Sequence, residues 1–107
     1  MSSIAQHLQH VQQQIAQAAG QAGRVPSSVQ LLAVSKTFGP EAVAEAVAAG
    51  QRAFGENYLQ EALDKIAALP ALVPDTPLEW HFIGPIQSNK TRPIAEHFDW
   101  VHSVDRL

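Results

Sequence analysis

The chain has 107 residues, which is enough for one hydrophobic core and too few for two domains of ordinary size. Hydrophobic residues make up 46% of it, so a packed interior is expected and disorder is excluded. The formal net charge is -3, without a block of Lys or Arg, so neither a nucleic acid nor a membrane is favoured as a partner. With no cysteine and a polar, Gln-rich start, the composition predicts a cytoplasmic protein.

The first element along the chain is an amphipathic helix. Apolar residues recur every three or four positions from Ile4 to Ala19, opposite a face of Gln and His, and the helix is expected to end near Gly20 or Gly23. The run Val29 to Val34 that follows is short and apolar. It predicts a strand buried on both faces of a sheet.

A second helix and a second strand come next. Pro40 suits a first helical turn, residues 42–49 are rich in alanine, and Gly50 is placed as a C-terminal cap. Ala53 and Phe54 then predict a short strand that ends at Gly55.

The third helix is predicted over Tyr58 to Leu69, where leucine and isoleucine show helical spacing. Glu61 and Lys65 lie four residues apart, which is the spacing of a favourable ion pair along a helix. Pro70 is expected to close this helix and to open a proline-containing loop. The β-favouring run Leu78 to Ile83 predicts the third strand.

A fourth helix and a fourth strand complete the pattern. A cap is expected near Thr91, Pro93 fits the first helical turn, and the helix continues to Phe98. Residues 99–104 predict a strand, and Asp105 is the expected cap of a further helix.

This alternation of strands and helices predicts a parallel sheet with helical crossovers. Two architectures satisfy the pattern, an open doubly wound sheet and a (β/α)8 barrel. A complete barrel needs about 250 residues, so four units would be half of one. Because the sequence ends where its next helix should begin, we expect a truncated chain.

Polar and reactive residues follow each predicted strand. They are Ser35, Lys36, Glu56, Asn57, the segment Gly84 to Lys90, Ser103 and Asp105. The carboxyl ends of parallel strands form the ligand site of α/β folds, so this grouping predicts a binding site at that edge.

Lys36 is the most reactive of these candidates. An apolar strand delivers it to the edge, where partial desolvation would favour the free amine that attacks a carbonyl and forms a Schiff base. The alternative is a solvated residue just beyond a buried strand, and position alone favours that alternative.

The other candidates also have structural explanations. Asn57 can donate to a ring oxygen or a phosphate and Glu56 can pair with a cation, yet both can belong to a capped helix start. His81, inside the third strand, is either a ligand-facing residue or a satisfied core histidine. The remaining histidines lack partners at metal-ligand spacing, and we predict no metal site: His7, His10, His97 and His102.

Several of these segments match a known family in order and spacing. LLAVSKT at 31–37, FGENY at 54–58, WHFIGPIQSNK at 80–90 and HSVD at 102–105 resemble the pyridoxal-phosphate homeostasis protein family, which is related to the N-terminal barrel of alanine racemase. The resemblance covers essentially the whole chain. It implies an α/β fold of the TIM-barrel type, in which residues 1–107 supply an N-terminal helix and about the first four βα units of a single domain.

The resemblance also implies a function and a site. Lys36 would hold pyridoxal 5'-phosphate (PLP) as a Schiff base, and Asn57 and His81 match residues that line the cofactor pocket. The implied role is non-catalytic, namely PLP binding and vitamin B6 homeostasis. PLP-dependent apoenzymes are the implied protein partners, and the full-length protein is expected to be a monomer.

Two positions depart from the family. Phe38 stands where many bacterial relatives have a second lysine, which puts in doubt any cofactor transfer through that residue, and Pro93 replaces an expected helix former. The loops that grip the phosphate in such barrels follow strands seven and eight. An isolated half would also expose a sheet edge and an apolar face. Such exposure favours self-association or incomplete folding, and we predict that the isolated chain binds PLP weakly or not at all.

Two other classes of function stay open. The first is an enzyme that uses Lys36, either a PLP-dependent racemase or decarboxylase half or an aldolase without a cofactor. It lacks a convincing second acid or base, since Tyr58 is the only tyrosine. The second is a structural fragment that only associates with another chain.

Overall fold

The computed structural model describes residues 3–102 of the chain as a four-stranded parallel sheet with helices between the strands. The helices are α1 Ser3–Gln21, α2 Pro40–Ala48, α3 Leu59–Leu72 and α4 Thr91–His97. The strands are β1 Ala33–Val34, β2 Ala53–Glu56, β3 Glu79–Phe82 and β4 Trp100–Val101. Short 3₁₀ helices lie at Pro26–Ser28 and Ser88–Lys90.

The strands lie side by side in the order of the chain, β1-β2-β3-β4, and every pair is parallel. Gly55 pairs with His81, and His81 pairs with Trp100, so these three residues share one row across the sheet. The predicted α/β class with a parallel sheet is confirmed. Closure into a barrel needs further strands and stays a prediction.

One face of the sheet packs against the helices and forms the core. Phe54 and Trp80 are paired in register on this face, with ring centroids 5.6 Å apart. The buried cluster around them combines residues from α2 and α3: Val43, Ala46, Val47 and Leu69. Ile4 and Leu8 of α1 pack against the same cluster, which explains the apolar stripe in the first helix.

Side chains of a strand alternate between its two faces, so the residues next to Phe54 and Trp80 belong to the opposite face. We call this opposite face, which carries Val34, Gly55, His81 and Trp100, the open face. Val34 and Trp100 are exposed there, at 48% and 56%. Much of the apolar surface on this face is therefore uncovered.

The first two helices agree with their sequence patterns. Gly50 follows α2 with a φ of 104°, a left-handed conformation that glycine adopts without strain. Pro40 is the first residue of α2, as predicted. Both helix predictions are confirmed.

The outer strands are shorter than predicted. β1 begins at Ala33 instead of Val29, because the carbonyl of Leu31 accepts a hydrogen bond from the Gln51 side chain at 2.8 Å. β4 begins at Trp100 instead of Asp99. The Asp99 carboxylate accepts a hydrogen bond from the Trp80 N–H at 2.8 Å, which fixes the entry to β4.

Helix α3 runs through Pro70 to Leu72, so the predicted end at Leu69 was wrong. The Val73 N–H donates to the Leu69 carbonyl at 2.8 Å, which continues the helical hydrogen bonding past the proline. Pro70 lacks an N–H and removes only one such bond, in the last turn of the helix.

Helix α4 begins at Thr91, with Pro93 in its first turn as predicted. The N-cap residue is Lys90, next to Thr91, so the predicted start of the helix is confirmed, but Lys90 makes no side-chain cap hydrogen bond. The preceding 3₁₀ helix leads directly into α4 and takes the place of a separate cap. Ser103 and the predicted cap Asp105 lie outside the described residues.

Across residues 3–102, none of the helices combines the length and hydropathy that a membrane span requires.

Candidate functional site at the carboxyl edge of the sheet

The turn after β1 presents Lys36. The Phe38 N–H donates to the Ser35 carbonyl at 3.1 Å, and Thr37 has a φ of 67°. A four-residue turn with a left-handed third residue has the pattern of a type II turn, and Lys36 occupies its second position. The amine of Lys36 is therefore carried by a defined backbone structure.

Lys36 itself is exposed. The partial desolvation that the sequence suggested is therefore not found for this side chain within residues 3–102. Its side chain is accessible to a ligand that approaches the carboxyl edge. The assignment of Lys36 as the cofactor lysine stays a prediction.

A buried ion pair lies directly beneath this turn. Glu56 at the end of β2 and Lys65 of α3 are 0% and 2% exposed, and Lys65 Nζ lies 2.8 Å from Glu56 Oε2. Lys65 Nζ also donates to the Ser35 carbonyl at 2.5 Å. The Ser35 hydroxyl donates to Glu56 Oε2. Strand β1, strand β2 and helix α3 are thus joined by charge-assisted hydrogen bonds.

This ion pair was only partly predicted. Glu56 was expected either to pair with a cation or to belong to a helix cap. It pairs with Lys65, whereas the N-cap of α3 is Tyr58. The predicted pair of Lys65 with Glu61 is also present, with Lys65 Nζ 3.6 Å from Oε1 of the partly exposed Glu61. A usable signal was present, because Lys65 falls on the same stripe of α3 as the buried Ala62 and Leu69.

Asn57 lies one residue beyond β2, against the loop after β3. Its Oδ1 atom is buried and has no hydrogen-bond partner among residues 3–102. A Cβ built on Gly84 would lie 2.7 Å from Asn57 Cβ and 2.9 Å from the Asn57 carbonyl oxygen. Only glycine allows the two loops to approach this closely.

His81 is buried in β3 on the open face of the sheet. Its Nε2 lies 2.6 Å from Glu79 Oε1 and its Nδ1 lies 2.7 Å from His102 Nε2. The ring also stacks with Trp100 and with His102, at centroid distances of 6.0 and 5.0 Å. Both nitrogens of His81 are engaged with side chains, not with the backbone carbonyl that was the expected alternative. The link to His102 was not foreseen from the sequence.

The structure brings the three predicted cofactor residues to neighbouring strands. Lys36 directly follows Ser35 and Asn57 directly follows Glu56, and Ser35 and Glu56 are hydrogen-bonded to each other. His81 lies on the next strand, β3. A cavity of about 340 Å³ adjoins Asn57, and Gln87 and Lys90 are also part of its lining. This edge therefore offers an amine, an amide oxygen that has no partner among residues 3–102, and a second cation. No cluster of three metal-binding side chains occurs within the described part of the chain.

The whole chain is similar to curated proteins named pyridoxal phosphate homeostasis protein. It is 66% identical to the protein of Pseudomonas aeruginosa over 107 residues, which is 100% of this chain and 45% of the relative. It is 60% identical to the protein of Vibrio cholerae over 106 residues, and 57% identical to that of Escherichia coli over 107 residues. The chain thus spans about 45% of the length of these relatives. No family model matches it.

Solved structures give the same result. PipY of Synechococcus elongatus, crystallised with PLP bound, superposes with a TM-score of 0.69 and 54% identity, over 86% of this chain and 42% of PipY. A protein of unknown function from Bifidobacterium adolescentis superposes with a TM-score of 0.86 and 35% identity, over 95% of this chain and 44% of its own. The resemblance to the pyridoxal-phosphate homeostasis family, predicted from the motifs, is confirmed.

Proposed function

Because the chain is similar along its length to the pyridoxal-phosphate homeostasis family, we propose that it is part of a protein that binds PLP and serves vitamin B6 homeostasis. The observation that carries this proposal is that the exposed Lys36 and the buried Asn57 Oδ1, which has no hydrogen-bond partner among residues 3–102, follow the paired strands β1 and β2 at the carboxyl edge of the sheet. PipY, which shares 54% of its aligned residues with this chain, has been crystallised with PLP.

Lys36 would hold the cofactor as a Schiff base. Its free amine would bond to the aldehyde carbon that the cofactor supplies, and the aldehyde oxygen would leave as water with the two hydrogens of the amine. No oxidant or reductant is needed. The exposure of Lys36 allows the aldehyde to approach, and the turn from Ser35 to Phe38 limits where the amine can be.

Asn57 and His81 would line the pocket. The buried Oδ1 of Asn57 lacks a partner among residues 3–102, so a donor on the ligand would remove the cost of leaving this atom unpaired. His81 has both nitrogens engaged by Glu79 and His102, so it would contribute a fixed ring surface and no free hydrogen-bonding group.

The rest of the pocket would come from a longer protein. We propose that the four parallel strands form half of a (β/α)8 barrel, with the open face of the sheet turned toward the barrel interior. The sequential order of the strands favours this architecture, because an open doubly wound sheet reverses its strand order at the ligand crevice. The phosphate would then be held by loops outside this chain.

A non-catalytic role fits the residues at this edge better than catalysis does. An enzyme needs a positioned acid or base on the far side of its substrate. Tyr58 is 52% exposed at the start of α3, and His81 is engaged at both nitrogens. Delivery of the cofactor to PLP-dependent apoenzymes is the corresponding physiological role, and a cytoplasmic location would suit it.

Chemical trapping tests the proposed function. The whole protein that contains this chain is mixed with PLP, reduced with borohydride and digested, and the modified peptide is identified by mass spectrometry. We expect modification at Lys36 and its loss in Lys36→Arg. Lys90→Arg is the matched control, because Lys90 is an exposed lysine at the same edge. Equal modification of Lys36, Lys65 and Lys90 would contradict the proposal, and turnover of amino acids would favour an enzyme.

A further inference from the structure

The ion pair of Lys65 and Glu56 contacts the backbone immediately before Lys36. The Ser35 carbonyl accepts two hydrogen bonds, one from the Phe38 N–H at 3.1 Å and one from Lys65 Nζ at 2.5 Å. The first of these bonds closes the turn that carries Lys36, and the second ties the turn to helix α3. Lys65 therefore acts on the same carbonyl oxygen that defines the turn.

Glu56 is hydrogen-bonded to both Lys65 and Ser35. Its Oε2 atom accepts hydrogen bonds from Lys65 Nζ and from the Ser35 hydroxyl. The Ser35 N–H also donates to the Gly55 carbonyl at 3.0 Å. The hydroxyl, the N–H and the carbonyl of Ser35 are all fixed, so the residue that precedes Lys36 has little freedom to rotate.

Stability alone does not account for this arrangement. Two charges that are 0% and 2% exposed lose their hydration, and apolar residues of similar size often give a protein of equal or greater stability. Glu56 Oε1 also lacks a partner among the described residues, which adds to the cost of burial. A buried pair with such a cost that contacts the backbone next to a reactive lysine suggests a role in placing that lysine.

We propose that Lys65 and Glu56 are positioning residues that fix the turn from Ser35 to Phe38 and so present the Lys36 amine to the aldehyde of PLP. The proposal rests on the proposed function. Neither residue touches the cofactor. Lys65 acts through the Ser35 carbonyl, and Glu56 acts through Lys65 and the Ser35 hydroxyl.

The test compares the formation of the Schiff base with binding that does not involve it. In the whole protein carrying Lys65→Met, the rate of appearance of Schiff-base absorbance is measured after PLP is added. We expect this rate to fall by about 10- to 100-fold, because a small displacement of a reacting group has effects of that size. Affinity for pyridoxine 5'-phosphate, which has an alcohol in place of the aldehyde, should stay within about threefold, since tenfold corresponds to a lost hydrogen bond.

A second variant separates positioning from folding. Lys65→Met alone leaves a buried carboxylate unpaired, whereas Glu56→Gln with Lys65→Met leaves no charge there and keeps an acceptor for the Ser35 hydroxyl. The double variant should recover stability and keep the slow formation of the Schiff base. Lys65→Arg, which retains a donor, should restore part of the rate. Glu61→Gln is the control and should react at the unaltered rate, because Glu61 is partly exposed and lies 3.6 Å from Lys65, farther than the 2.8 Å of Glu56.

The outcomes distinguish this inference from the proposed function. Cofactor on Lys36, with the same rate in the unaltered protein and in the folded double variant, would overturn the inference alone. Equal losses of PLP and pyridoxine 5'-phosphate binding would also overturn it, since they indicate a collapsed site. Cofactor on another residue of the unaltered protein would overturn both.

Discussion

Lys65 is the residue whose environment differs most from its sequence pattern. A lysine four residues after a glutamate normally forms a surface pair that contributes a few tenths of a kcal/mol. Here its side chain is 2% exposed and its main partner, Glu56, comes from a strand nine residues earlier. The consequence is a much larger dependence of stability on this one side chain.

We expect Lys65→Met to lower the free energy of unfolding by about 3–5 kcal/mol, the usual cost of leaving one buried charge unpaired. Urea unfolding followed by circular dichroism measures this change. Glu61→Gln on the same helix is the control and should change stability by less than about 0.5 kcal/mol. A loss below about 1 kcal/mol for Lys65→Met would show that Glu56 is not held buried as described.

Gly84 offers a second test at the scale of the residue. Gly84→Ala places a Cβ 2.7 Å from Asn57 Cβ and 2.9 Å from its carbonyl oxygen, so the two loops must move apart. We expect a loss of about 1–3 kcal/mol, as for an overpacked site. Gly20→Ala in α1 is the matched control, because a Cβ added there would meet no atom of the described residues within 4 Å, and it should stabilise by about 0.4–1 kcal/mol. Equal effects of the two substitutions would contradict this account.

The candidate site was predicted from the sequence in part. The placement of Lys36 and Asn57 at one edge follows from strand alternation and parallel pairing, which are local rules. The partners of Glu56 and His81 did not follow, because Lys65 and His102 reach them through tertiary packing over 9 and 21 residues. Sequence spacing places Lys65 on the buried stripe of α3, but it does not identify the residues that contact it from other elements.

At the scale of the elements, helix α3 continues past the proline that was expected to end it. Pro70 was expected to end the helix, yet hydrogen bonding continues to Val73. The packing of Leu69 in the core keeps the last turn helical, because the burial of this side chain outweighs one missing backbone bond.

We therefore expect Pro70→Ala to stabilise the protein, since Pro70 is exposed and lies inside α3. Alanine would restore an N–H for the fourth preceding carbonyl, and a smaller loss from the more flexible unfolded chain would leave a net gain of about 1–2 kcal/mol. Thermal unfolding followed by circular dichroism checks the direction. A lower melting temperature would show that the proline is required for the turn at Val73.

The short first strand has a different cause. The sequence predicts six residues from Val29, and the sheet takes only Ala33 and Val34. The side chain of Gln51 donates to the carbonyls of Leu31 and Ala53, both at 2.8 Å. This side chain therefore links β2 to the segment before β1, at a position where a longer β1 would have formed backbone hydrogen bonds. The periodicity of hydrophobic residues cannot predict polar contacts of this kind.

At the scale of the whole molecule, the open face of the sheet favours association with another chain in solution. Val34 is 48% exposed and Trp100 is 56% exposed on this face, and β1 and β4 are the outer strands of the described sheet. Exposed apolar surface beside unpaired strand edges favours association with another chain.

We expect the 107-residue chain to self-associate as its concentration rises, and Val34→Lys to shift it toward monomer. Sedimentation velocity across a concentration series measures both effects. Val25→Lys is the control, because Val25 is 66% exposed but lies in the loop after α1, away from the sheet. A chain that stays monomeric at all concentrations would show that the open face is covered in solution.

Cofactor binding is also expected to depend on a longer protein, because the loops that would hold the phosphate lie outside this chain. A phosphate held by two charge-assisted hydrogen bonds gains about 3 kcal/mol or more, which corresponds to at least about 100-fold in affinity. We expect the isolated chain to bind PLP weaker by at least this factor than the whole protein does. Titration of both with PLP, followed by absorbance, compares them directly, and equal affinities would refute the need for a second half.

The most direct test of the central claim is a crystal structure of the whole protein grown with PLP. We expect electron density that continues from Lys36 Nζ to the cofactor, with Asn57 and His81 in the wall of the pocket and the strands β1 to β4 inside a closed barrel. Cofactor bound away from the turn at Ser35 to Phe38, or a Lys36 side chain separate from the cofactor, would contradict it.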